Sequence, residues 1–253
     1  MDKLNIELVV TDFNGVIYKN HTEADLWQNL DLELIKDELK ELDVFQAAKY
    51  IKTGLKLKKL VIDYKNNKID YGKIFDIFNE EILSGLDIKY VNNYITKKYV
   101  KLGKEKINRN FLGVIKDIKN YGKKTAILSS GCHEGIEALL REVGAEYFDE
   151  IWANKIKTDE NGVIDKFELK ISDNNGCKKG KILEEMLDKK GIDKCNTAYI
   201  GHGPEDKSAL KIVGHPIIYG SPVDESLLEE FDHSAFVPKD EQELKRYILG
   251  LSS

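Results

Sequence analysis

The apolar run Val9-Val10 leads through Thr11 directly into Asp12-Phe13-Asn14-Gly15. A strand that delivers a carboxylate into a glycine turn sets an ionisable oxygen at the end of a sheet, where it can serve as a nucleophile or a cation ligand. Three other stretches carry groups that such a carboxylate needs. Ser129-Ser130-Gly131 follows the run Lys124 to Leu128, Lys178-Lys179-Gly180-Lys181 opens a helical pattern, and Gly201-His202-Gly203-Pro204-Glu205-Asp206 follows Thr197 to Ile200. A hydroxyl, backbone N–H groups and an ammonium group together neutralise and orient a negatively charged substrate around an attacking aspartate. Each stretch alone is common in α/β proteins; their order along one chain is what makes them specific.

The elements that must position these groups are legible from periodicity. Short apolar runs at Lys3 to Val10, Lys124 to Leu128, Thr197 to Ile200 and Pro216 to Tyr219 read as buried strands. Between them, Asn110 to Tyr121, Glu134 to Val143, Lys178 to Lys190 and Glu205 to Ile212 carry apolar residues three and four apart, as helices do. Alternating strands and helices predict a three-layer, Rossmann-like α/β core with a parallel sheet, whose functional loops lie at the carboxyl ends of the strands. From residue 19 to 107 the periodicity is helical, with expected helices at Thr22 to Leu42, Val44 to Thr53, Asp70 to Leu83 and Asp87 to Val100. We expect this segment to form an inserted helical cap, with residues 1–18 and 108–253 forming the core. Tyr90, Tyr94 and Tyr99 read as packing residues, and Asp159 to Phe167 as a hairpin or tight turn.

Composition narrows the class. The 253 residues carry a formal net charge of −5, which gives no electrostatic footprint for nucleic acid. Only Arg109, Arg141 and Arg246 supply guanidinium groups, so the usual bidentate clamp for anions is missing from most of the chain. No apolar segment is long enough to span a bilayer and no leader pattern opens the chain, so a cytoplasmic location without membrane partners is expected. Cys132, Cys177 and Cys195 are unpatterned and read as free thiols, which makes the sequon at Asn20-His21-Thr22 a chance match.

The set of loops resembles the haloacid dehalogenase superfamily of hydrolases, most closely its phosphoserine phosphatase-like branch. That family opens with a strand ending in Asp-x-Asp, inserts a helical cap, and continues with a Ser or Thr after a second strand, a lysine, and a Gly-Asp-Gly-x-x-Asp loop. The resemblance extends to Tyr147 to Ile156 (YFDEIWANKI) and to the final strand with the EFDHSAFVPKDEQEL stretch after it. It implies a small phosphorylated metabolite as substrate, an aspartyl-phosphate on Asp12, and Mg2+ as cofactor. Asp12, the Asn14 position, Ser129 and Lys179 are the implied catalytic set, Lys179 being preferred to Lys178 because Lys-Gly-Lys is the branch's spacing. Ser130, Gly131, His21 and His133 are implied at the substrate. Asp12, the backbone carbonyl of Asn14, His202 and Asp206 are implied at the metal.

Three positions depart from that pattern. Asn14 stands where the second aspartate would protonate the leaving oxygen, and an amide cannot, a loss of about 10² to 10⁴ in rate. His202 replaces an aspartate ligand, and imidazole suits Mn2+ or Co2+ better than hard Mg2+. His21 occupies the position of the branch's substrate-binding glutamate, which argues against phosphoserine. Three readings therefore stand: a slow or specialised phosphatase or phosphotransferase, a phosphate-binding pseudoenzyme, and a metal-free dehalogenase-like hydrolase. The last is the weakest, because the stretch from Lys19 to Asn108 holds no arginine for a haloacid's carboxylate and halide.

Overall fold

The computed structural model describes residues 5–19, 22–41, 43–65, 73, 76–77, 79–173 and 176–251. Strands β1 (Leu8–Thr11), β2 (Lys124–Cys132), β3 (Glu150–Thr158), β4 (Ile164–Glu168), β7 (Thr197–Gly201) and β8 (His215–Ile218) form one sheet in the order β4-β3-β2-β1-β7-β8. A small antiparallel pair, β5 (Ser172–Asp173) and β6 (Gly176–Cys177), lies apart from it. The neighbours from β3 to β8 pair in parallel, and β4 turns back antiparallel on β3.

All four residues of β1 are buried, as a central strand covered on both faces must be. Val9 joins the core formed with Phe111, Ile115, Leu244 and Ile248, on the helices Arg109–Asn120 and Glu241–Leu249. Leu8 and Val10 point the other way, into a core with Leu183 and Met186 of the helix Lys179–Lys190. Two helical layers thus sandwich the sheet. Because Thr11 sits opposite Ile127 of β2 and Ile200 of β7, the chain segments that follow all three strands emerge side by side.

The segment after β1 leaves and returns through one clasp: Lys19 N donates to Lys106 O at 3.0 Å and Asn108 N to Ile17 O at 2.7 Å. Between these points lie the helices Thr22–Lys40, Val44–Lys65 and Ile88–Tyr94, with wider π-helical turns at Asn79–Leu83 and Ile95–Tyr99. The returning leg also grips the β3–β4 hairpin, since Gly85 N donates to Ile164 O and Ile164 N to Leu86 O, at 3.0 and 2.8 Å. Tyr90 and Tyr94 pack within this helical layer, their hydroxyls donating to Asp37 and to the Leu26 carbonyl.

Several boundaries differ from the sequence-based expectations. The second helix does not stop at Thr53 but runs to Lys65. Gly54, which follows Thr53, is a contact point: a Cβ there would lie 2.3 Å from Asp31 Oδ2, so the glycine lets two helices approach closely. The first strand is Leu8–Thr11 rather than Lys3 to Val10, residues 3 and 4 lying outside the described residues. Of the expected helix Asp70 to Leu83, six residues also lie outside them, and its end, Asn79–Leu83, winds as a π-helical turn. The stretch from Glu205 begins as a 3-10 turn at Pro204–Asp206 before the short helix Lys207–Leu210, because Asp206 is drawn back onto its own loop. Tyr147 to Ile156 contributes most of strand β3, which apolar spacing alone did not reveal.

Candidate active site

Asp12 follows β1 and is 1% exposed. Its Oδ1 accepts from Phe13 N at 2.7 Å, and its Oδ2 meets Lys179 Nζ at 2.9 Å. Lys179 is itself fully buried at the start of its helix, and its Nζ bridges onward to Asp206 Oδ1 at 2.6 Å. A solvated helix-end lysine would have been the ordinary outcome; here two carboxylates justify its burial.

Asp206 is the most heavily bonded group in the cluster. Its Oδ1 accepts from Lys179 and from the Tyr199 hydroxyl at 2.7 Å, and its Oδ2 from the backbone N–H groups of His202 and Gly203 at 2.8 and 3.1 Å. Burial alone would raise the Asp206 pKa, but Lys179, His202 and Tyr199 more than offset it and hold the carboxyl well below its usual range. Burial pushes Asp12 the other way, up to about 7, opposed by Lys179 and reinforced by Asp206 and Glu205. The Lys179 ammonium resists desolvation and stays charged because both aspartates face it.

His202 packs its ring onto Gly15, the turn residue of the Asp12 loop. A Cβ on Gly15 would lie 2.0 Å from His202 Nε2, and its φ of +73° independently favours glycine. The loop after β8 completes this wall, with Ser221 N donating to Gly15 O at 2.8 Å. Desolvation works against protonation of His202, yet Asp206, Asp12 and Glu205 raise its pKa.

Asn14 is buried beside Asp12 and faces the inserted segment. Its Oδ1 accepts both from Thr22 N and from Thr22 Oγ1, each at 3.0 Å. Thr22 in turn reaches the serine stretch, its Oγ1 lying 2.6 Å from where a Gly131 Cβ would stand. Ser129 is fully buried there, its Oγ accepting from Gly131 N at 3.2 Å. The structure thus gathers Asp12, Asn14, Ser129, Gly131, Lys179, His202 and Asp206 around adjacent strand ends. Ser130 is half-buried in the same stretch, which is not the expected loop after the strand but the irregular end of β2 itself, whose pairing with β3 shifts register between Leu128 and Cys132; its carbonyl is taken by Asn154 Nδ2 at 2.6 Å. His133 instead lies near β3 at the start of the next helix, where burial and the Lys155 charge lower its pKa and its Nδ1 has no hydrogen-bond partner among the described residues. His21 lies outside the described residues.

Three contributors escaped the sequence reading. Thr22 enters the sequence reading only as the first residue of an expected helix, although it bonds the Asp12 loop through Asn14. Tyr199 alternates within a strand buried on both sides, and the need of a buried phenol for a partner was the available signal. Glu205 stands in the same loop as His202 and Asp206, and spacing alone could not say which carboxylate turns inward.

A divalent cation fits this centre. Asp12, His202, Glu205 and Asp206 each place a donor atom within 4.8 Å of the others, and His202 Nδ1 is buried without a hydrogen-bond partner among the described residues. Three carboxylates face one lysine, an excess of negative charge that a cation would balance.

Fold and site together define an α/β protein that presents a buried carboxylate, paired with lysine, at the carboxyl ends of parallel strands, with a helical segment inserted after the first of them. The chain belongs to the haloacid dehalogenase-like hydrolase family, whose model matches residues 6–214. It is similar to phosphoserine phosphatases of Methanocaldococcus jannaschii, 26% identical over 134 residues (53% of this chain, 60% of that protein), and of Archaeoglobus fulgidus, 19% identical over 220 residues (87% and 58%). The chain thus spans about 60% of the length of these curated relatives. A substrate-bound phosphoserine phosphatase complex matches in fold with a TM-score of 0.61 at 20% identity, covering 96% of this chain and 98% of its own. Among the described residues no helix is long and apolar enough to cross a membrane.

Proposed function

We propose that the protein is a phosphatase or phosphotransferase for a small phosphorylated metabolite, working through an aspartyl-phosphate on Asp12. The observation that carries this reading is the buried chain Asp12–Lys179–Asp206, with contacts of 2.9 and 2.6 Å. Asp206 holds the ammonium in place and Lys179 offsets the charge that gathers as Asp12 attacks phosphorus. Ser129 and the N–H groups of its turn orient the phosphoryl oxygens, with Ser130 and Gly131 forming the wall of the cradle. A cation bound by Asp12, His202 and a neighbouring carboxylate of the same loop would supply further positive charge to the substrate's phosphate. Residues 19–107 act as a cap over the core formed by 1–18 and 108–253, entering and leaving through the Ile17–Asn108 clasp.

Asn14 marks where the reaction is slow. Its amide has no proton to give a leaving alkoxide and cannot take one from water, so substrates with good leaving groups, such as acyl and aryl phosphates, are favoured. The commitment of Asn14 Oδ1 to Thr22 also supports a second reading, a phosphate-binding pseudoenzyme in which this position serves the cap. A panel of phosphate esters and acyl phosphates, assayed with Mg2+, Mn2+, Co2+ or no metal, separates the two. Metal-dependent turnover abolished by Asp12→Ala supports the enzyme; tight phosphate binding with no turnover of any member favours the pseudoenzyme.

A further inference from the structure

His202 removes a carboxylate from the loop that faces Asp12, and the same loop carries another carboxylate three residues later. We propose that Glu205 is a direct cation ligand, acting with Asp12 and a ring nitrogen of His202 in place of the missing aspartate, and that this mixed site prefers Mn2+ or Co2+ to Mg2+. The inference rests on reading the Asp12 centre as a cation-assisted phosphoryl-transfer site.

Hydrogen-bond capacity separates the two acidic residues of the loop. A carboxylate oxygen has two good acceptor directions, and in Asp206 both oxygens already receive two donors each. Asp206 is therefore spent on positioning Lys179 and the loop. Asp12 receives one contact on each oxygen and keeps room for another partner. Glu205 has neither a hydrogen bond nor an ion pair among the described residues, while its carboxylate lies within 4.8 Å of the Asp12 and His202 donor atoms.

The backbone is shaped to bring it there. The turn Pro204–Asp206 reverses the chain, and the Glu205 carboxylate folds back over Gly203, where a Cβ would lie 2.4 Å from Oε2. A side chain at position 203 would push that carboxylate away. His202 points to a ligand independently of the acidic residues: its side chain is 8% exposed and its Nδ1 has no hydrogen-bond partner among the described residues. That nitrogen stands 3.6 Å from Asp206 Oδ2, too far for a hydrogen bond. One imidazole nitrogen with two carboxylates is a donor set that transition ions fill more readily than Mg2+.

The test is calorimetric titration of the EDTA-treated full chain with Mn2+, Co2+ and Mg2+, supported by the visible absorption of bound Co2+. Wild type should bind Mn2+ and Co2+ more tightly than Mg2+. Glu205→Gln should weaken Mn2+ binding by more than about a hundredfold, beyond the roughly 10–100-fold that losing an outer partner of a metal site costs, and should change the Co2+ spectrum. The metal-free variant should melt no lower than wild type, since it loses a charge from an acidic cluster. Glu205→Gln combined with His202→Asp should bind Mg2+ again. Mn2+ binding within twofold of wild type in Glu205→Gln overturns the role of Glu205 and leaves the cation-assisted reading standing. Tighter binding of Mg2+ than of Mn2+ by wild type overturns the preference, and no binding of any divalent ion overturns the cation reading as well.

Discussion

Asn14 Oδ1 accepts two hydrogen bonds from Thr22, one from its backbone N–H and one from its hydroxyl, each at 3.0 Å. The residue that stands where a proton-transfer group would act is thus the tie between the Asp12 loop and the first helix of the insertion, Thr22–Lys40. A helix's first N–H groups lack intrahelical partners, so this bond does the work of an N-cap from eight residues upstream.

Because a carboxylate accepts the same two bonds, Asn14→Asp should fold normally and raise turnover, most strongly for alkyl phosphates whose leaving group needs a proton. At least a tenfold gain in kcat on an alkyl ester is expected, with a smaller gain on an acyl phosphate. Asn14→Ala should lose about 1 kcal/mol of stability, read by urea denaturation. An Asn14→Asp protein that folds, binds its cation and gains no activity would remove the proposed role of position 14 in proton transfer.

The same logic predicts a long-lived intermediate. Breakdown of an aspartyl-phosphate needs water whose proton is taken by a neighbouring base, and position 14 offers an amide. Incubation with acetyl phosphate should therefore leave one phosphate on Asp12, detectable by mass spectrometry after acid quench and absent in Asp12→Ala. Asn14→Asp should shorten its lifetime. Phosphate found on another residue would contradict the assignment.

Lys179→Met should be among the most damaging single changes. It leaves Asp12 and Asp206 buried near each other without a counter-charge, a cost of about 3–5 kcal/mol. Denaturation in EDTA should show this loss, and added Mn2+ should recover part of it. A loss below about 1 kcal/mol, the ordinary worth of a surface pair, would mean that the chain of charges is not closed in solution.

Gly15→Ala tests the contact between the first loop and His202. The new methyl would occupy the space of the imidazole ring, on a backbone whose φ of +73° suits glycine. Displacement of His202 should weaken Mn2+ binding about tenfold or more, by analogy with the effect of disturbing a metal site's supporting groups. Calorimetry with a circular-dichroism control for folding checks it.

Asp31 supplies a pH dependence away from the reaction centre. Burial against the Val44–Lys65 helix raises its pKa from 3.8 to about 6, and its Oδ1 has no hydrogen-bond partner among the described residues. A carboxyl raised on folding helps the folded state at pH values below about 4, and that help is lost as pH rises through 6. Asp31→Asn should therefore flatten the fall in melting temperature between pH 4 and 6.5. An unchanged slope would place the pH dependence elsewhere.

The sequence by itself determined the architecture and most of the residues that the fold gathers at the strand ends. Buried strands such as Leu8–Thr11 need apolar residues on both faces, and the loops at their ends must carry the polar groups, so Asp12, Ser129 and the Gly201 to Asp206 loop could be read from order alone. It was silent where burial and bonding capacity decide the outcome. Lys178 and Lys179 are adjacent and alike, yet only burial between two aspartates selects Lys179; Gly54 resembles a helix stop until a neighbouring helix is seen to require it. His133 follows the serine stretch in sequence but lies near β3, because the first turn of a helix carries successive side chains to different sides. Which of Glu205 and Asp206 keeps acceptor capacity for a further partner was equally open, since both sit in one loop. Tertiary structure decided it by giving Asp206 four donors, from Lys179, Tyr199, His202 and Gly203, and leaving Glu205 without one among the described residues.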